Sequence, residues 1–402
     1  MPLHDDATAL QDDLVRLRRE LHAEPEIGLD LPRTQEKVLA ALDGLPLELS
    51  PGTALTSVTG VLRGARPGPV VLLRADMDAL PVQERTGLAY ASRVDGAMHA
   101  CGHDMHTAML VGAAHLLAAR RADLAGDVVL MFQPGEEGWD GSAAMIAEGV
   151  LDAAGRRPDA AYALHVFGAG VPHGVFSARP GTTMAASDVL EVTVVGAGGH
   201  GARPHRAQDP IPVACEIVTA LQTLVTRRSD IFDPVVVTVG SFHSGTKRNV
   251  IPDTARFEAT VRTFSAPAKA RIGDAAVALA RSIAQAHGLR ADVEFRDGYP
   301  MTVNDAEEVG FVADTITDVF DGRFEPLANP MPGGEDFSRV LREVPGAFIP
   351  FGAGDGSTDN HSPLARFDDA LLSDGATVLA ELALRRGARG VVRAAGSRRP
   401  GG

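Results

Sequence analysis

Val70-Val71-Leu72-Leu73 is an unbroken apolar run that passes directly into Arg74-Ala75-Asp76-Met77-Asp78. A strand with one wet face alternates apolar and polar residues, so a continuous run predicts a strand buried on both faces, as inside a parallel sheet. Downstream, Thr107 to Ala119 is rich in Ala and Leu and predicts a helix, and Val128 to Phe132 is a second short apolar run closed by Gln133-Pro134-Gly135. Upstream, Leu10, Leu14, Leu17 and Leu21 recur at helical spacing within 8–23, with Pro25 ending the segment. A helix from about Thr34 to Leu42 and a strand from Ser57 to Leu62 follow. Strand alternating with helix predicts an α/β fold: a mostly parallel sheet with helices on both faces. In such folds functional groups collect beyond the carboxyl ends of the strands, where Asp76, Asp78 and the Gln133 loop stand.

The texture changes near Ser187. Val189 to Val195 reads as a long strand, followed by a helix from about Ile211 to Arg227 and strands at Val235–Ser241 and Ala255–Phe264. A helix from about Pro267 to His287 and a strand from Ala291 to Arg296 complete a unit the size of a small α+β domain. The helix-and-strand rhythm then resumes at Val309–Phe320, Phe348–Phe351 and Ala370–Leu384. The expected organisation is a catalytic domain in two parts, 1–186 and 301–388, interrupted by an inserted α+β domain at 187–300. The Arg-, Gly- and Ala-rich residues 389–402 are expected to form a disordered tail.

The chain has 402 residues, enough for two or three domains, and its 45% apolar and 22% charged content is ordinary for a globular protein. With 38 Lys and Arg against 52 Asp and Glu, the net charge of −14 disfavours a nucleic-acid partner. No apolar run is long enough to span a bilayer, and Asp5 and Asp6 stand where a signal peptide would carry cations. A soluble cytoplasmic protein without a membrane partner is expected. The two cysteines, Cys101 and Cys215, suit a reducing compartment.

Chemistry concentrates in Met98-His99-Ala100-Cys101-Gly102-His103-Asp104-Met105-His106-Thr107, which sets a thiol, three imidazoles and a carboxylate just before a helix. Cys and His are the preferred ligands of borderline metals such as zinc. Alternation in an extended segment would turn Cys101 and His103 to one side. In Gln133-Pro134-Gly135-Glu136-Glu137-Gly138 the adjacent carboxylates point apart, so that one can bind metal while the other faces substrate as a base. His165 stands near the end of an apolar run and His361 in a loop. A carboxylate within Arg74–Asp78 can orient a ligand His and fix its tautomer.

Six ordered segments carry a resemblance: Arg74-Ala75-Asp76-Met77-Asp78-Ala79-Leu80-Pro81, Met98 to Thr107, Gln133 to Glu137, Gly198-Gly199-His200-Gly201-Ala202-Arg203-Pro204-His205, Asn249-Val250-Ile251-Pro252-Asp253, and Glu335-Asp336-Phe337. Together, from about residue 10 to about residue 385, the chain resembles the amidohydrolase branch of the aminoacylase-type metallopeptidases. That group includes N-acyl-amino-acid amidohydrolases, hippurate hydrolases and auxin-conjugate hydrolases. The resemblance implies a catalytic domain interrupted by a lid, or dimerisation, domain, and hydrolysis of an N-acyl amino acid to a carboxylic acid and a free amino acid. It implies two divalent ions (zinc, manganese, cobalt or nickel) on Cys101, His103, Glu137, His165 and His361, with Cys101 where related peptidases carry a bridging Asp. Glu136 matches the general base and acid acting on a water held between the ions, Asp78 the carboxylate behind the ligands, and His200 the lid residue that polarises the scissile carbonyl. Asn249 and Arg262 resemble lid residues that hold the substrate carboxylate. A small-molecule N-acyl amino acid or peptide-like substrate and a homodimer through the lid are the implied partners.

Gly201 and Arg203 replace the commoner Ala and Met of the lid motif, and Gly334 replaces a Ser or Ala, which bears on substrate preference rather than on the chemistry. Two other readings stand beside this one. A dipeptidase or carboxypeptidase of the same superfamily would carry Asp and His at the positions of Cys101 and Asp76, and a silent metal-binding homologue has little reason to keep Glu136. Trp139, the only tryptophan, is expected to pack beside its loop, with an acyl-pocket wall as the alternative. Cys215 is expected in the apolar core of its helix. His22 and His287 lie on predicted helices without a partner motif and are assigned no role. His243, Lys247 and Arg248 read either as a solvated loop or as cations that draw in an anionic substrate.

Overall fold

Val70–Leu73 lies within the strand Arg66–Asp76, in which every residue from Val70 onward is buried. The computed structural model describes residues 3–396, and side chains as far as residue 389. Arg66–Asp76 pairs in parallel with Ala125–Gln133 on one side and Ala160–Phe167 on the other, and Ala160–Phe167 pairs in parallel with Gly346–Gly352. These four form the middle of an eight-stranded sheet. Its full order is Leu47–Pro51, Val58–Arg63, Ala125–Gln133, Arg66–Asp76, Ala160–Phe167, Gly346–Gly352, Phe176–Ala178 and Phe324–Pro326. Val58–Arg63 is antiparallel to both of its neighbours. The fold is thus a mixed α/β one around a large, mostly parallel sheet.

Helices His103–Ala119 and Leu372–Gly396 pack on Arg66–Asp76 and on each other, while Gly141–Ala147 packs on Ala125–Gln133 and on the short helix Ser338–Leu341. Leu73, Ala75, Leu130, Phe132, Tyr162 and Leu164 belong with both long helices to one apolar core. The amino-terminal segment forms two helices, Leu3–Ala9 and Gln11–Ala23, because Leu10 N–H turns back to Ala7 O at 3.0 Å. The final helix runs to Gly396, and residues 397–402, the end of the expected disordered tail, lie outside the described residues. Three arginines of this helix are anchored. Arg385 pairs with Glu381 and Asp318, Arg386 with Glu308, and Arg389 with Asp314.

The chain divides into two units, one of Met1–Gly181, Val303–Ala328 and Asp336–Gly402, the other of Thr182–Thr302 and Asn329–Glu335. In the second unit the antiparallel sheet runs Val235–Ser244, Thr254–Thr263, Ala186–Val195, Arg290–Tyr299. Strict alternation of burial along Ala186–Val195 leaves one face for the helices Pro210–Arg228 and Ala266–Ala286, whose first turns are capped by Asp209 and Ser265. Cys215 is exposed, correcting the core expectation: Ala214 and Ile217 are buried, and the thiol falls one position off that stripe. Among the described residues no helix is long and apolar enough to cross a membrane.

Candidate metal centre

Gly102 caps helix His103–Ala119 with φ 85°, and a Cβ there would lie 2.3 Å from Val166 Cγ2. Only glycine therefore lets the Cys/His loop close against the strand Ala160–Phe167. Cys101 and His103 converge through this left-handed turn, not through alternation along an extended segment. His103 Nδ1 donates to Asp78 O at 2.9 Å, which leaves the lone pair of Nε2 free, and that atom is buried without a hydrogen bond. His165 likewise donates from Nδ1 to Val166 O at 2.9 Å and aims Nε2 at Cys101 Sγ, 3.5 Å away. On the other side of the thiol, His361 Nε2 lies 3.1 Å from Glu137 Oε1. His361 takes φ 68°, its backbone N–H held by Ala100 O at 2.9 Å.

The ligand atoms of Cys101, His103 and His165 all lie within 4.8 Å of one another, and so do those of Cys101, Glu137 and His361. The thiol is common to both groups. Buried polar atoms without partners are costly, and here they are soft or borderline donors converging on two points, so the residues fit a pair of divalent ions. Cys101 and Glu137 accept from His361 and draw its pKa up to about 10.

Asp78 holds the neighbouring acids. Its carboxylate accepts Glu136 N–H at 2.9 Å on one oxygen and Glu137 N–H at 3.0 Å on the other, while its carbonyl sets the His103 tautomer. Glu136 is buried, and its carboxylate forms a further close group with His103 and Glu137. Behind them stands a layer that the sequence reading did not assign. His106 spends both nitrogens, on Asp76 Oδ1 at 2.5 Å and on Val166 N–H at 2.7 Å, and so steadies the strand end that carries His165. Burial raises the Asp76 pKa, but Arg74, His103 and His106 outweigh it and hold the carboxyl well below its usual range. Arg74 also reaches Gln133 and Asp336, each at 2.9 Å, and Asp336 accepts Ser142 N–H at 2.9 Å. Asn360 donates to Cys101 O at 3.2 Å and to Val166 O at 3.0 Å. Its place beside His361 was the available signal.

His22, left without a role by the sequence, belongs to a second buried network. Its Nδ1 meets Asp104 at 2.7 Å and its Nε2 lies 3.3 Å from Glu84. Fully buried Arg18 pairs with Asp104 at 2.7 Å and Asp369 at 2.8 Å, and its guanidinium donates to Tyr90. Burial opposes the charge on Asp104, but Arg18 and His22 prevail and keep it ionised. The amino-terminal helix is thereby tied to the residue next to His103.

The model of the family described as Peptidase family M20/M25/M40 matches residues 72–385. The chain belongs to that family. It is 37% identical over 378 residues to an N-acetyl-L-cysteine deacetylase of Bacillus subtilis, covering 94% of this chain and 89% of the relative. It is 36% identical over 394 residues to thermostable carboxypeptidase 1 of Saccharolobus solfataricus, covering 95% and 98%. A crystal structure of a Bacillus subtilis protein described as a dinuclear metal binding peptidase of the M20 family aligns with TM-score 0.82 at 33% identity, over 95% of this chain and 99% of that one. This M20 protein is a metal-dependent hydrolase acting on amides.

In the second unit of the M20 chain, His200 pairs in register with Val250, and Gly201 N–H donates to Asn249 O at 3.0 Å, so His200 and Asn249 lie side by side. His200 Nδ1 accepts Ala202 N–H at 3.1 Å, which places the ring proton on Nε2 as an exposed donor. Arg262 is not brought to them. Val250–Ile251, in its own two-stranded ladder with Gly199–His200, shortly precedes Thr254–Thr263 in the chain, and Arg262 lies eight residues beyond Thr254, roughly 26 Å along that strand. Arg262 is half-buried, and burial lowers its pKa from the ordinary value.

Proposed function

We propose that this M20 hydrolase cleaves the amide bond of N-acyl amino acids, releasing a carboxylic acid and a free amino acid. The observation that carries the reading is the tethering of Glu136 and Glu137 by the two oxygens of Asp78, which sets a base and a ligand side by side at a thiol-centred donor cluster. Cys101, His103 and His165 would hold one divalent ion and Cys101, Glu137 and His361 the other. Thiolate and imidazole donors favour zinc, cobalt or nickel over magnesium or calcium, while manganese, a harder ion, would rely on the Glu137 carboxylate. When bound, two such ions supply an acidified water and Lewis-acid polarisation of the scissile carbonyl.

Glu136 takes the proton of the attacking water and passes it to the departing amine, while Asp78 keeps the two glutamates in place. His200 donates from Nε2 to the developing oxyanion, and Asn249 and Arg262 hold the substrate carboxylate. An amino acid is far shorter than the length of strand that separates Arg262 from His200, so one lid does not serve a single substrate with all three. We therefore assign the active form as a homodimer through the lid, with the site shared between copies. Mixing the inactive variants Glu136→Gln and His200→Ala is expected to restore activity, because one site of the mixed dimer then has an intact base and an intact donor. Mixtures as inactive as their parents would place His200 and Glu136 of one chain in the same site. The exposed free thiol of Cys215 suits a reducing compartment, and we place the enzyme in the cytoplasm.

The carboxypeptidase relative at 36% identity supports a second reading on the same centre, peptide cleavage beside a free carboxyl terminus. Amine release from N-acetyl, N-benzoyl and indole-acyl amino acids and from dipeptides separates the two. Release from the N-acyl series at higher kcat/KM is expected; preference for dipeptides would overturn the N-acyl reading.

A further inference from the structure

Trp139 stands two residues beyond Glu137; it packs beside its loop and still leaves 56% of its surface exposed. Its indole lies over Gly28, where φ is 85° and a Cβ would come within 3.1 Å of Cε2, so the chain there is shaped to receive a flat ring. Neighbouring Ile27, also exposed, forms a bridge with Ala79, the residue after Asp78. The two apolar side chains therefore form a ledge anchored at both ends to backbone that carries the centre: Ile27 through Ala79 to Asp78, Trp139 through its own loop to Glu136 and Glu137.

The ledge is held firmly. Gly138 N–H donates to Glu136 O at 2.8 Å, Gly141 N–H to Gly135 O at 3.0 Å, and Asp140 pairs with Arg339 at 2.7 Å. An indole seated on Gly28 and still half exposed, two residues from Glu137, offers a preorganised stacking surface.

We propose that Trp139, with Ile27, receives the acyl group of the substrate and makes aromatic acyl groups preferred over acetyl. This rests on the N-acyl amino acid reading. The substrate has one anionic half, its free carboxylate, and one apolar half, and an indole beside an isoleucine suits the apolar half.

The test compares N-benzoyl and N-acetyl derivatives of one amino acid in the metal-loaded wild type, Trp139→Ala and Trp139→Phe. The benzoyl-to-acetyl ratio of kcat/KM is expected to fall about tenfold in Trp139→Ala and to recover largely in Trp139→Phe, the size of effect a stacking contact in an apolar subsite supports. Because Trp139 is the only tryptophan, intrinsic fluorescence gives a second readout. In the Glu136→Gln variant, N-benzoyl amino acid should perturb the emission saturably and the N-acetyl compound much less. An unchanged ratio, or emission indifferent to the benzoyl compound, overturns the assignment, as does a Trp139→Ala effect that follows the amino acid instead of the acyl group. Should the wild type hydrolyse neither compound, the N-acyl reading falls, and the fluorescence titration still decides whether Trp139 meets an aromatic ligand.

Discussion

Glu136→Gln is expected to lower kcat about 10³-fold while the protein still takes up two divalent ions per chain. The substitution keeps the size and polarity of the side chain and removes only its ability to accept a proton. The backbone N–H of residue 136 still donates to Asp78, so the loop that carries Glu137 keeps its geometry. The measurement pairs amine release under saturating substrate with metal content after dialysis. Because the carboxylates of Glu136 and Glu137 lie within 4.8 Å of each other and of His103, loss of metal in this variant is the informative alternative. That result would move Glu136 into the ligand set and leave the proton transfer to another group.

Cys101→Ala is expected to remove both ions and all measurable turnover, whereas His361→Ala should weaken only one. The asymmetry follows from position: the thiol belongs to both donor groups, and His361 to one. Truncating Cys101 also leaves the lone pair of His103 Nε2 and the carboxylate of Glu137 facing each other across an apolar methyl group, with nothing to gather them. Metal content of the purified variants reads the difference directly, and far-ultraviolet circular dichroism checks that the fold is retained. Equal loss of metal in both variants would mean that the two donor groups do not act as separate sites sharing a thiol.

The middle of the sheet was legible because a strand buried on both faces must be apolar without interruption, and Val70–Leu73 and Val128–Phe132 have that texture. Leu47–Pro51 and Phe324–Pro326 went unread: each is short, lies at a sheet edge and is only partly buried, so little in its composition marks it. Cys101 and His103 were legible for a different reason, being crowded into one loop, although they converge through the left-handed turn at Gly102 and not along extended chain. Asp78 was legible at its strand end, but the second buried network was not. His22 meets Asp104 across 82 positions and Arg18 meets Asp369 across 351, and no local pattern records a partner that distant. The same holds for the arginines of the last helix, whose acidic partners lie mostly on Ala306–Val319. Cys215 shows the limit of periodicity: one position along a helix is enough to turn a residue from the core to water.

The proposed site is a two-ion centre joined at Cys101 that supports amide hydrolysis. Its most direct test is a titration of the stripped protein with zinc or manganese, following N-benzoyl amino acid hydrolysis and metal binding in the same samples. Activity absent from the stripped protein and rising to a plateau at two equivalents per chain is the predicted result. Full activity without metal, or a plateau at one equivalent, would contradict it.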